Sequence, residues 1–341
     1  MRKILFISMF IVIGLIVILT GGVGAAYYMN SPTNYIKSNG VQFSVPNGES
    51  LHRVSDNLER KNIIRSKYFL LLYSKIFGTA NNIKSGNYYI EKGSTARDIH
   101  NLIVSGRQIQ KEVTIPEGWT MSMTAERFVQ AGIVESKQAF LKAAEDKELL
   151  NKYSIPGNSA EGYLFPDTYR FTPGMPGVKI VTHLIESFYE HLEKEHSEYK
   201  KLTEKELYKK ITLASIVERE YRVPKEAPKI ASVFYNRLKE EIALGSCATV
   251  GYVISEIRGK EHPEYLSFAD TQIESPYNTY IHKGLPPGPI ANPGIIAIDA
   301  VFNPADTDYY YFVLKDTSTG EHFFSKNLQD HRAAREAFKD Y

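Results

Sequence analysis

Apolar residues open the chain in one unbroken block. After Arg2 and Lys3, residues 4–30 (ILFISMFIVIGLIVILTGGVGAAYYMN) carry no charge. The apolar part exceeds the roughly 20 residues needed to cross a hydrocarbon core about 30 Å thick. The block therefore predicts a membrane-spanning helix over 1–30, with its basic flank cytoplasmic and the rest of the chain outside. Such a run is also longer than the roughly 7–15 residues of a signal-peptide core, so an uncleaved anchor is expected. The polar stretch that follows, NSPTNYIKSNG, reads as a tether over 31–40.

Beyond it, a strand-like apolar run followed by a helix-spaced one recurs three times: FSVPNGESLHRVSDNL, YYIEKGSTARDIHNLI and VTIPEGWTMSMTAERF. Each copy has a Gly two residues before a hydroxyl: Gly48 and Ser50, Gly93 and Thr95, Gly118 and Thr120. Behind the hydroxyls, apolar positions fall at i, i+3 and i+7: Leu51, Val54, Leu58; Ala96, Ile99, Ile103; Met121, Thr124 (through its methyl), Phe128. The pattern predicts strand, turn, N-cap and amphipathic helix. Unequal spacing between copies argues against a solenoid. The first two copies enclose SKYFLLLYSKIF and predict a small βααβα module over 41–110.

No Pro/Gly/Ser linker interrupts the remainder, and 111–341 reads as one larger α+β domain. FVQAGIVESKQAFLKAAEDKELLNKY is helical, with Ser136 as a cap. SAEGYLFPDTYRFTPGMP is extended, VKIVTHLIESFYEHLEKEH is an amphipathic helix, and the end reads as a hairpin turning at 317–320 before a closing helix. The fold class is α+β.

Composition changes this picture little. The 341 residues are 43% hydrophobic, enough for one or two cored domains. A net charge of +2 from 41 basic and 39 acidic side chains leaves no footprint for nucleic acid. Cys247, the single cysteine, excludes an internal disulfide and thiolate metal clusters. The nine histidines are scattered, with no close pair carrying an acidic partner at helical spacing. No metal and no cofactor are expected.

Candidate chemistry enters with ITLASIVEREYRVPKEAPKIASVFYNRL. On a helix, Ile211, Ala214, Glu218 and Tyr221 form one stripe, while Leu213, Ile216, Val217 and Glu220 form the next. Both glutamates thus lie on apolar faces, and periodicity does not choose between them. A carboxyl so placed has a raised pKa, as a general acid near neutral pH requires. The other use is structural pairing with Arg219, Arg222 or Arg237. Pro224 ends this helix and Pro228 starts another. Further on, GSCATVGY offers Ser246 and Thr249. Tyr277, Asn278, Thr279 and Tyr280 precede a stiff Pro/Gly-rich stretch over 284–294, after which Asn292-Pro293 is expected to cap a helix. Amides, hydroxyls and tyrosines on rigid loops suit a polar, flat-faced ligand such as a sugar chain.

The opening of the 41–110 module resembles lysin-motif modules, which bind glycan. EGYLFPDTY, LASIVERE, VFYNRL and SPYNTYIHKGLPPGPIANPG resemble the endolytic murein transglycosylase family, and the similarity covers nearly the whole chain. The resemblance implies a cell-membrane anchor and an outward-facing, periplasmic-side enzyme. Such an enzyme cuts the MurNAc–GlcNAc bond of nascent peptidoglycan, leaves 1,6-anhydro ends and so terminates strand elongation. It picks Glu218, the first glutamate of the IVE[RK]E motif, as acid and then base. Expected substrate contacts are Glu161, Asn236, Ser246, Thr249, Tyr277, Asn278 and Tyr280. Peptidoglycan glycan strands are the implied substrate, and penicillin-binding peptidoglycan synthases the implied partners. One departure is Cys247-Ala248, where the family often has Asp-Pro. The alternatives are a hydrolytic muramidase, which needs a second acid such as Glu161, Glu220 or Asp270, and a non-enzymatic wall-binding scaffold.

Overall fold

The computed structural model of the chain describes residues 2–38, 40–108, 110–261, 263 and 265–338. It comprises two compact units, Met1–Gln110 and Lys111–Tyr341. The first contains helices α1 (Arg2–Asn30) and α2 (Asn34–Ser38), strand β1 (Val41–Val45), helices α3 (Leu51–Arg60) and α4 (Lys67–Ile76), strand β2 (Gly86–Ile90) and helix α5 (Ala96–Ser105). β1 and β2 pair antiparallel from Val41↔Ile90 to Val45↔Gly86, and Phe43, Val45, Tyr88 and Ile90 turn inward against Val54, Leu58, Ile99 and Ile103. The expected βααβα order is observed.

Two features of this unit differ from the sequence reading. The expected tether is built into the module. Ile36 is fully buried, its carbonyl accepts the Gly93 N–H at 2.9 Å, and Thr33 caps the short α2 helix by accepting the Ile36 N–H. One apolar residue in a polar run suffices to dock it. Secondly, α1 forms, but among the described residues no helix is long and apolar enough to cross a membrane. A spanning role for this segment rests on its sequence pattern.

The second unit opens with β3 (Lys111–Thr114) and helices α6 (Met121–Gln130), α7 (Lys137–Ala144) and α8 (Lys147–Lys152). Strand β4 (Thr168–Phe171) and helices α9 (Gly177–Glu195), α10 (Glu204–Glu218), α11 (Ala227–Lys239), α12 (Cys247–Tyr252) and α13 (Ile295–Phe302) follow. Strands β5 (Tyr311–Leu314) and β6 (His322–Ser325) and helix α14 (Leu328–Ala337) complete it. β3 pairs antiparallel with β4, and β5 with β6. The apolar helix α13 packs against α10 and α11 at the centre of the core.

All three strand–turn–helix copies form. Ser50, Thr95 and Thr120 accept hydrogen bonds from the backbone N–H three residues on, and Gly48, Gly93 and Gly118 have left-handed φ of 75°, 82° and 73°. Gly is the residue that takes this conformation without a Cβ clash. The third copy begins the second unit, and its turn reaches the candidate site.

Candidate active site

Three segments far apart in sequence meet at Asn292, which is fully buried. Its Oδ1 accepts the N–H groups of Gly162 (2.9 Å) and Leu164 (3.1 Å), while its Nδ2 and backbone N both donate to the Trp119 carbonyl. Its own carbonyl accepts the Gly118 N–H at 2.9 Å. The side chain satisfies buried backbone groups that no secondary structure serves. Gly162, at φ 87°, lies where a Cβ would come within 2.6 Å of Pro289. Asn292 does not itself cap the following helix, as the sequence suggested. Gly294 is the N-cap of α13.

Glu218 sits where these segments converge. It is the last residue of α10, which stops earlier than the periodic stripe implied, so Glu220 and Tyr221 lie beyond the helix. The carboxyl is half-buried. Its Oε2 accepts the Gly294 N–H at 2.9 Å, at the N-terminal end of α13, and the Tyr221 hydroxyl is 3.5 Å from Oε1. The Gly118 turn packs close: a Cβ there would stand 3.4 Å from Glu218 Cγ. Arg219 donates to the Gly118 carbonyl at 3.1 Å and fixes that turn on the end of α10. The exposed carboxylate of Glu117 lies beside Gly294.

Desolvation raises the Glu218 pKa most, and the charge of Glu117 adds to it. The Gly294 N–H, the Tyr221 hydroxyl and Arg219 pull the other way, and the balance stands at about 7. Near neutral pH the group is therefore divided between acid and base forms. It is held by one backbone donor, with little other hydrogen bonding to fix its charge.

Glu220 faces a different space. The Ser246 hydroxyl donates to it, and burial raises its pKa to about 7 as well, against the lowering effects of Ser246, Arg219 and Arg237. It lines a cavity of about 430 Å³ that also receives Cys247 and Tyr280.

Of the expected sugar contacts, several have their polar atoms engaged within the protein. Asn236 Nδ2 donates to the carbonyls of Thr307 and Tyr309. Asn278 Nδ2 donates to Thr271 and Ile273, and its Oδ1 accepts the Tyr280 N–H. Thr249 donates to the Ser246 carbonyl and lies 2.9 Å from the Thr279 hydroxyl, while the Ser246 N–H donates to Thr279. These bonds zip GSCAT to YNTY. Tyr277 packs against Tyr252 with tilted rings, centroids 5.3 Å apart, and is half-buried. The Tyr280 ring is exposed, with its hydroxyl 3.0 Å from Cys247 Sγ.

Glu161 is 4% exposed and accepts the Met121 N–H with both oxygens, at 2.9 and 3.1 Å, at the start of α6. Burial nevertheless raises its pKa to about 8. The sign is fixed: below the unfolded value of 4.5 both states are protonated, and as pH rises towards 8 the unfolded chain ionises first, so stability falls. Glu161→Gln keeps an acceptor for Met121 and removes this dependence. Urea midpoints measured from pH 5 to 8 should fall for both proteins, because Glu218 and Glu220 are also raised, and fall less steeply for the variant. Parallel curves would show that Glu161 is already ionised in the fold.

Sequence reading missed Glu117, Gly118, Arg219, Gly294 and Asn292 as parts of one site. Their signal was the glycine turn of the third copy, which gave no hint of what it faces. Among the described residues, no group of three or more His, Cys, Asp or Glu side chains is placed to hold a metal ion.

A helix end, a glycine turn and a second helix's N-terminus thus converge, within an α+β unit, on one half-buried carboxyl whose raised pKa lets it give or take a proton near neutral pH. The chain belongs to the YceG-like family, which matches residues 43–337. An endolytic murein transglycosylase of Bacillus subtilis (strain 168) is 32% identical, with the alignment covering 87% of this chain and 84% of the relative. One from Streptococcus pneumoniae serotype 2 (strain D39) is 27% identical over 96% of this chain and 64% of its own length. The crystal structure of a yceG-like protein from Listeria monocytogenes superposes with a TM-score of 0.58 at 30% identity, covering 86% of this chain and 99% of the other.

Proposed function

We propose that this protein is an endolytic murein transglycosylase that cuts the MurNAc–GlcNAc bond of glycan strands, with Glu218 as acid and then base. The observation that carries the reading is the Glu218 carboxyl, half-buried, held by the Gly294 N–H and poised near pH 7. Protonated Glu218 gives its proton to the glycosidic oxygen as the C1–O bond breaks. The resulting carboxylate takes the proton of the muramic C6 hydroxyl as that oxygen bonds to C1. The product is a 1,6-anhydro end, and no water is consumed. Because the nucleophile belongs to the substrate, one carboxyl suffices, unlike the paired acids of ordinary glycosidases. Internal cuts of this kind in nascent strands would set their length, in partnership with peptidoglycan synthases.

Mass spectrometry of uncrosslinked strands after incubation reads the new ends. Anhydro ends from wild type and none from Glu218→Gln are expected. The position of Glu117 beside the site supports a second reading, in which it activates water. Reducing ends would establish that hydrolytic route and exclude the lyase.

The βααβα module is read as a glycan-binding element and the 2–30 helix as a single-pass anchor, the latter on its uncharged 4–30 sequence. Deleting residues 1–30 should release the protein from the membrane fraction. Retention of the truncated chain there would exclude the helix as its sole anchor.

A further inference from the structure

Four arginines converge on the cavity beside Glu220: Arg219, Arg222, Arg237 and Arg335, the last from α14. Among the described residues none of the four forms an ion pair, although eight Lys or Arg pairs occur elsewhere. The hydrogen bonds of Arg219 and Arg237 go to backbone carbonyls, Gly118 for the first and Tyr310, Ala243 and Leu244 for the second, and Arg237 also lies over the Tyr311 ring. Arg222 and Arg335 are exposed at the rim. The carboxyl facing them, Glu220, is itself shifted towards its neutral form. His331 also lines the cavity, and its Nδ1 is buried with no hydrogen-bond partner among the described residues. Burial, and then the charges of Arg335 and Arg237, lower its pKa and disfavour a positive charge on that ring. Four guanidinium groups around one partly ionised carboxyl leave positive charge in excess, which an entering anion would offset, and planar, forked donors match a carboxylate.

We propose that this cavity binds a free carboxylate of the peptide branch carried by the glycan substrate, so that stem-bearing strands are the preferred substrate. The assignment rests on the transglycosylase reading and extends it. Glu220 lies two residues from Glu218, and the muramic sugar at the cut is the one that bears the peptide. A branch on that sugar must therefore pass near the end of α10. A phosphate at the far end of a long strand has no such obligation.

The test is equilibrium binding by the full chain carrying Glu218→Gln, so that strands are not consumed, read by anisotropy of labelled strands. Stem-bearing strands should bind roughly tenfold tighter than strands stripped of peptide, the size expected for one charge-assisted contact. Amidating the stem carboxylates should close that gap without any change to the protein. Arg222→Gln combined with Arg335→Gln should close it too, while leaving affinity for stripped strands unchanged. Equal affinity for stem-bearing, amidated and stripped strands overturns the proposal, as does absence of binding by all three. Inorganic pyrophosphate competing more strongly than an N-acetylated stem peptide would reassign the cavity to a phosphate and overturn it as well. The lyase reading fails separately: reducing ends, or no cleavage by wild type, would leave this binding comparison intact.

Discussion

Glu218→Gln is expected to lower kcat by about 10²–10⁴, the range that positioned general acids contribute, while the melting temperature stays close to that of wild type. The amide keeps an acceptor for the Gly294 N–H but has no proton to give. Protonated Glu218 is the starting form, so wild-type kcat/KM should fall as pH rises through about 7. Removing the neighbouring charge with Glu117→Gln should move that alkaline limb to lower pH, because Glu117 holds the Glu218 pKa up. Glu220→Gln is the necessary contrast. Its hydrogen bond from Ser246 can persist in the amide, and cleavage of stem-free strands should stay within a few-fold of wild type. A full rate in Glu218→Gln, or its abolition in Glu220→Gln alone, would transfer the acid role from one glutamate to the other.

The second large effect is structural. Asn292→Ala should destabilise the protein by about 2–6 kcal/mol, because the N–H groups of Gly162 and Leu164 would be left buried without acceptors. In a unit of this size, that corresponds to a melting temperature lower by roughly 4–24 °C. The Trp119 carbonyl keeps its bond from the residue 292 backbone, so the loss comes mainly from the 160–165 side. Activity should fall with stability, since the lost side chain also bonds the Trp119 carbonyl, next to the Gly118 turn that packs on Glu218. A change of under 1 kcal/mol by chemical denaturation would mean that water replaces the side chain without penalty.

What the sequence disclosed follows from how local each feature is. The capped helices were legible because Ser50, Thr95, Thr120 and Ser136 act three residues away, on their own helix's first turn. The β5–β6 hairpin and the amphipathic α9 were legible for the same reason. Glu218 was nominated by its apolar face but not separated from Glu220, because periodicity carries no information on where a helix stops. The end of α10 at Glu218 sends the two carboxyls to different neighbours. Asn292 was the hardest to read. Its partners lie 128, 130 and 173 residues away, and an Asn before Pro looks the same whether it caps a helix or binds three segments together. Asn236, Thr249 and Asn278 looked like ligands because polar residues on a rigid loop can face either outward or back into their own backbone.

The join between α1 and the βααβα module has a mechanical consequence. The Arg65 guanidinium donates to Ser31 Oγ, the Tyr28 hydroxyl and the Pro32 carbonyl, and it lies 4.7 Å from the centre of the Tyr28 ring. Asn30 accepts the Arg97 N–H, and Ile36 is sealed in the core. The module is thus mounted on a stalk instead of hanging from a leash. A push or a twist applied to α1 would reach the module directly, with no slack chain between them to absorb it.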